Sequence, residues 1–171
     1  MKASDWIAGW LKERVGHVFG LQGGAVVHLF DSCHAVGPEP IYCHHEQAAA
    51  FAASAYARIH GYGVCILTTG PGGTNGLTPL LGAWQDSIPC LFISGQARVA
   101  HTSYGKPVRQ AGTQEAPIAD IVRPIVKAAI HVERMADVAR ALNAAYKASR
   151  AARNGPAWVD IPFDLQNAPW A

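Results

Sequence analysis

The sequence has little of what marks several large functional classes. Its four cysteines, Cys33, Cys43, Cys65 and Cys90, include no CxxC pair. That excludes a zinc ribbon and a thioredoxin-like redox motif, and leaves small core hydrophobes in a reduced cytoplasm. No apolar run approaches the ~20 residues of a membrane span. Lys2, Asp5, Lys12, Glu13 and Arg14 break the first apolar segment, which makes it a poor signal peptide. Charge of one sign is also scarce, with 14 Lys plus Arg against 12 Asp plus Glu. A formal charge of +2 is too small to imply nucleic acid or an anionic membrane as partner. Neither GxGxxG, GxxxxGK[ST] nor GxSxG occurs, and no internal repeat or low-complexity stretch is present.

Apolar residues, by contrast, make up 50% of the 171 positions, enough to bury a core in one domain. They fall into two alternating periodicities. Near-continuous apolar runs occur at 17–22, 40–45, 63–69, 89–95, 126–132 and 156–162. Runs without in–out alternation are typical of parallel strands covered on both faces. Helical patterns lie between them: one capped by Ser4 and running to about Val15, then 24–35, 46–59, 74–86, a short one near 115–121, and 134–152. This alternation predicts a doubly wound α/β domain with a mostly parallel six-stranded sheet and helices on both faces. Ligands of such sheets sit beyond the carboxyl ends of the strands, which directs the search to the loops 22–25, 44–47, 69–75 and 94–115.

Each loop has a chemical and a structural reading. Gln22, Gly23, Gly24 and Ala25 let backbone approach a ligand closely, or simply make a tight turn. Glu46 is either a first-turn acid stabilised by the helix dipole or a functional carboxylate. It opens a helix rich in alanine (Ala48, Ala49, Ala50, Ala52, Ala53, Ala55, Ala57), which can pack very closely and desolvate it. His44 and His45 are adjacent strand positions that point to opposite faces, which disfavours a metal pair. Thr68 to Asn75 resembles a phosphate cradle without the matching spacing or lysine. The 94–115 loop carries Gln96, Arg98, His101, Lys106, Arg109, Gln110, Gln114 and Glu115. It suits an anionic substrate, or is a solvated polar loop of a length that is usually functional or mobile.

Taken together, FGLQGGAVVHLFD, HHEQAAAFAASAYARIHG, TTGPGGTNGLTPLLGAWQDSIPCLFISGQ and the ending GPAWVDIPFDLQ resemble the pyrimidine-binding domain of thiamine diphosphate enzymes, nearest to acetolactate synthase and acetolactate synthase-like proteins. The likeness runs over nearly all of residues 1–171. It implies that Glu46 hydrogen-bonds N1′ of the cofactor's aminopyrimidine and promotes the tautomer that removes the proton from C2 of the thiazolium. It also implies a transferase or lyase reaction, carboligation or decarboxylation, on pyruvate or a related 2-keto acid. Gly23, Gly24 and Ala25 would line the thiazolium side. Pro71 and Asn75 would lie near the aminopyrimidine and a subunit interface, and Gln96 would contact the cofactor. Gln114 with Glu115 resembles a substrate-side pair. Two positions depart from the pattern: Gln22 stands where proline is usual and Thr113 where a bulky aromatic is usual, both of which bear on which substrate is accepted.

The family binds the cofactor's diphosphate through Mg²⁺ on a second domain marked by GDG, and a middle domain can hold FAD. Neither GDG nor that middle domain is present, and no metal site is assigned to this chain. The resemblance therefore implies half of a shared site, belonging to a longer enzyme or to the small subunit of a split 2-keto acid decarboxylase. A diphosphate-binding domain or subunit and a homodimer are the expected partners. A non-catalytic dimerising module is the rival reading.

Overall fold

The computed structural model describes residues 1–170. Six strands form one sheet: β1 (His17–Gly20), β2 (Glu39–Tyr42), β3 (Gly63–Leu67), β4 (Cys90–Gln96), β5 (Ala129–His131) and β6 (Ala157–Pro162). Every pairing is parallel, in the order β2-β1-β3-β4-β6-β5. The expected mostly parallel sheet is thus wholly parallel. The order reverses between β1 and β3, so the loops leaving these two strands flank the switch point where such folds bind ligands.

Eight α-helices surround the sheet: α1 (Ala3–Lys12), α2 (Val27–Val36), α3 (Glu46–His60), α4 (Pro71–Thr74), α5 (Leu77–Gln85), α6 (Ile118–Val122), α7 (Val138–Arg150) and α8 (Phe163–Gln166). The core splits into two layers. On one face Leu11, Leu29, Phe30 and Leu142 from α1, α2 and α7 pack on Val18, Val64, Ile66, Ile93 and Val159. On the other, Ala49, Ala53, Leu80 and Ile118 from α3, α5 and α6 pack on Cys65, Leu67, Phe92 and Trp158. Adjacent strand residues divide between the two layers, which is why β3, β4 and β6 read as unbroken apolar runs. Small residues let α3 sit close: a side chain on Gly63 would stand 2.1 Å from the Ala53 carbonyl oxygen.

Two expected helices differ. Ser4 lies inside α1 rather than capping it, fully buried, with its hydroxyl accepting from Ser32 at 2.8 Å. The amide of Lys2, two residues earlier, instead donates to Asp5 Oδ2 at 2.9 Å. The helix expected over 74–86 is two pieces, α4 and α5. Pro79 lacks the N–H a continuous helix would need there and is tolerated only in a first turn, so a helix restarts at Leu77. The cysteines are free. Cys33, Cys65 and Cys90 are buried as expected of core hydrophobes, and burial pushes the Cys33 and Cys90 thiols up to about 12. Among the described residues no helix is long and apolar enough to cross a membrane.

Candidate functional site

The carboxyl ends of β1, β3 and β4 carry the candidate residues on two sides of one turn, Thr68–Thr69–Gly70. This turn is held rigidly. Gly70 has φ of +56°, and a side chain there would stand 1.7 Å from the Gln114 carbonyl oxygen, so the chain can pass only as glycine. Gln114 is itself left-handed, with φ of +56°. A non-glycine residue in that region is strained, and such strain gathers at functional sites.

One side of the turn holds Glu46. Its carboxylate sits at the first residue of α3, where His45 Nδ1 accepts from the Gln47 amide at 3.1 Å and the helix dipole favours an anion. The residue is only 9% exposed. Asn75 Nδ2 donates to Oε2 at 2.9 Å, and among the described residues nothing donates to Oε1. That second oxygen faces Gly72, where an added Cβ would lie 3.2 Å away. The arrangement is a nearly buried carboxylate with one oxygen fixed and one left reachable. Pro71, next to it, opens α4 and lines a separate cavity of about 360 Å³ with Gly70, Gln110 and Gln114.

The other side holds an open cavity of about 350 Å³. Gly24, Ala25, Thr69, Gln96, Thr113 and Gln114 all line it, so six of the residues singled out from the sequence meet there or at its rim. Gly24 leaves open space. Gly23 instead packs against Thr68, whose side chain would be 2.5 Å from a Cβ. Three residues are placed differently from what the sequence suggests. Gln22 donates to the Tyr42 hydroxyl at 3.1 Å on the edge strand, and does not join this cavity. Glu115 is buried, accepting from Ser103 at 2.7 Å and from the Ala111 amide at 3.2 Å, so it ties the long loop together while bordering the cavity beside Pro71. Gln96 is fully buried and all four of its hydrogen-bonding positions are filled by the protein.

Sequence reading missed one residue here. Asp160 is wholly buried on β6, in a run that is otherwise apolar. A lone acid inside such a run was the available signal. Burial pushes its carboxyl above the usual carboxylate range, while hydrogen bonds from His131, Ser94 and Gln96 pull the other way. Among the described residues no group of three or more His, Cys, Asp or Glu side chains gathers that could hold a metal ion.

Comparison with known proteins points one way. The family described as "Thiamine pyrophosphate enzyme, N-terminal TPP binding domain" matches residues 1–122. The chain is 40% identical over 157 residues to the acetolactate synthase large subunit of Haemophilus influenzae, covering 91% of this chain and 26% of that protein. It is 36% identical over 177 residues to the acetolactate synthase isozyme 2 large subunit of Escherichia coli, covering 99% of this chain and 31% of that protein. With the acetolactate synthase large subunit of Corynebacterium glutamicum it shares 40% identity over 153 residues, 88% of this chain and 24% of that protein. The chain thus spans about a quarter to a third of the length of these relatives.

Proposed function

The chain belongs to the thiamine pyrophosphate enzyme family, matching its N-terminal TPP binding domain, and from that premise we propose that it supplies the pyrimidine-binding half of a carboligase or decarboxylase site for 2-keto acids. The carrying observation is Glu46: nearly buried, one oxygen held by Asn75, the other reachable beside the side-chain-free Gly72. These residues fit an aminopyrimidine ring. A carboxylate fixed through one oxygen can share a proton with a weakly basic ring nitrogen at the other, and low exposure keeps water from competing for that proton.

When bound, thiamine diphosphate supplies the thiazolium carbon that adds to the keto group and takes up the electrons released on loss of CO₂. The chain's own part is to orient and exchange a proton. Glu46 Oε1 holds the proton at N1′, and Asn75 keeps the carboxylate from turning away. Gly24 and Ala25 leave the thiazolium side uncrowded. Thr113 and Gln114 face the cavity from the substrate side, where Thr113 in place of a large aromatic leaves room for a different donor or acceptor. On this reading the diphosphate and Mg²⁺ would be held by a second domain or subunit, and any FAD by a third.

The surface supports association. Phe51 and Ile59 are exposed at 51% and 79%, one α3 stripe with Ala48 and Ala55, and Leu81 and Trp84 of α5 are also exposed. An apolar stripe flanked by alanines, next to Glu46, suits closure by a second copy or by the diphosphate-binding domain. The chain mixed with a diphosphate-binding partner, thiamine diphosphate, Mg²⁺ and pyruvate should release CO₂, and Glu46→Gln should abolish that release. Unchanged turnover in the variant would overturn the proposal. A folded dimer that releases no CO₂ with any such partner would favour the non-catalytic module instead.

A further inference from the structure

The strand register lines up three polar side chains across the sheet. Ser94 on β4 stands opposite Asp160 on β6, which stands opposite His131 on β5. All three are buried in the layer covered by α6, among apolar neighbours. Ser94 donates to Asp160 Oδ1 at 2.6 Å and itself accepts from the Trp158 indole at 2.8 Å. His131 Nδ1 lies 2.9 Å from Oδ2, and Gln96 Nε2 donates to the same oxygen at 3.0 Å. Three partners converge on one carboxylate.

Gln96 carries this arrangement outward. Its second Nε2 proton goes to the Ala116 carbonyl at 2.9 Å. Its Oε1 accepts from the Thr69 hydroxyl at 2.6 Å and from the Ala97 amide at 2.9 Å. One amide therefore ties the buried acid to the Thr68–Gly70 turn and to both ends of the 97–116 loop. Since Asp160 only accepts, Gln96 must present its nitrogen inward and its oxygen to Thr69. The Thr69 proton is thereby committed, and the hydroxyl turns only lone pairs towards the cavity it lines. The His131 ring stacks on Tyr104 of the long loop with centroids 3.9 Å apart, and Tyr104 accepts from the Ala119 amide at 3.1 Å. His131 Nε2 is buried without a partner. Buried polar groups are mostly hydrogen-bonded, so such an exception calls for an explanation.

We propose that Asp160 and His131 are positioning residues for the candidate site, acting through Gln96 on Thr69 and on the loop that roofs the cavity. Gln96 is then a connector rather than a group that touches the cofactor. The proposal rests on the reading of this cavity as the cofactor and substrate site. The ionisable groups facing Asp160 are His131 from β5 and Tyr104 from the long loop, the latter also under the charges of Asp120 and Glu115.

The test is a proton-resonance titration of the full chain from neutral to acid pH, with no cofactor. The Trp158 indole, the Gln96 side-chain amide and the Thr69 and Gly70 backbone amides should shift together with one midpoint. In Asp160→Asn that common titration should be lost. In His131→Phe, which keeps a ring on Tyr104 but removes a donor, the midpoint should move to higher pH. Amides of Thr69 and Gly70 that ignore the titration of the indole, or that still follow it in Asp160→Asn, would overturn the proposal; an unmoved midpoint in His131→Phe would remove His131 from it. Should Asp160→Asn fail to fold, Thr69→Val tests the same link from the surface end. The Gln96 and Trp158 resonances should shift in it, and unmoved resonances would overturn the proposal. Loss of turnover in Glu46→Gln without a shared titration overturns only this network. A shared titration with Glu46-independent turnover overturns only the functional reading beneath it.

Discussion

Glu46 and Asp160 are two buried carboxylates in one small domain, and they differ in how their oxygens are used. Asp160 is fully buried, and donors from β4 and β5 meet both of its oxygens. Glu46, 9% exposed, has one donor and an oxygen facing a glycine. A saturated acid has nothing left to offer a ligand, so its effect is structural and transmitted. An acid with spare capacity, held in place but not satisfied, can exchange a proton with what binds. The comparison divides the candidate site into a sealed half around Asp160 and Gln96 and an open half around Glu46 and Gly24.

The sharpest way to break this division is to delete each acid and measure stability. Asp160→Ala strands three buried donors and should cost about 3–5 kcal/mol in urea unfolding, at roughly 1–3 kcal/mol for each buried group left unsatisfied. Glu46→Ala strands only the Asn75 amide, which has access to water, and should cost less than about 1 kcal/mol. Equal costs would erase the distinction.

Glycines give the next test. Gly70→Ala puts a side chain into the Gln114 carbonyl in a left-handed backbone, and should cost about 1–3 kcal/mol. Gly24→Ala meets open space in the other half and should stay within about 0.5 kcal/mol. Both are read from thermal midpoints.

The acids also differ in what pH does to them. Asp160 is raised above its ordinary value of 3.8 by burial, so the folded chain holds this proton more tightly than the unfolded chain. Its contribution to stability is fully present below 3.8 and is lost as pH rises through the higher folded value. Urea midpoints of wild type relative to Asp160→Asn should decline over that window and level off above it. A difference that grows with pH there would contradict the assignment. Asn75→Ala should cost about 0.5–1.5 kcal/mol of stability for one hydrogen bond, with a larger effect on turnover of an assembled enzyme.

The sequence made the sheet readable because β3, β4 and β6 are buried on both faces, and unbroken apolar runs such as GVCIL can be little else. It made the ligand end readable because loops after parallel strands fall at that end whatever their composition. Helix ends were less legible. Ser4 has the chemistry of a cap but is drawn into the core by Ser32 of α2, a contact 28 residues away. The break between α4 and α5 is written in Pro79, which the apolar period alone conceals. Within the candidate site, Glu46 opens α3, and Gly24 and Gln114 line the cavity beyond the strand ends. The Gln96 side chain turns inward, because the acid that turns it lies 64 residues on. Side-chain direction at such positions depends on strand order and register, which local pattern does not contain.

The central claim is that Glu46 is held for chemistry rather than for folding. The most direct measurement takes one variant, Glu46→Gln, through two readings: turnover of 2-keto acid in the assembled enzyme, and the urea midpoint of the chain. We expect turnover to fall by about 10²–10⁴-fold, the usual worth of a positioned proton-transfer group, with the midpoint essentially unmoved. Retained turnover, or a loss of stability large enough to account for the loss of turnover, would contradict it.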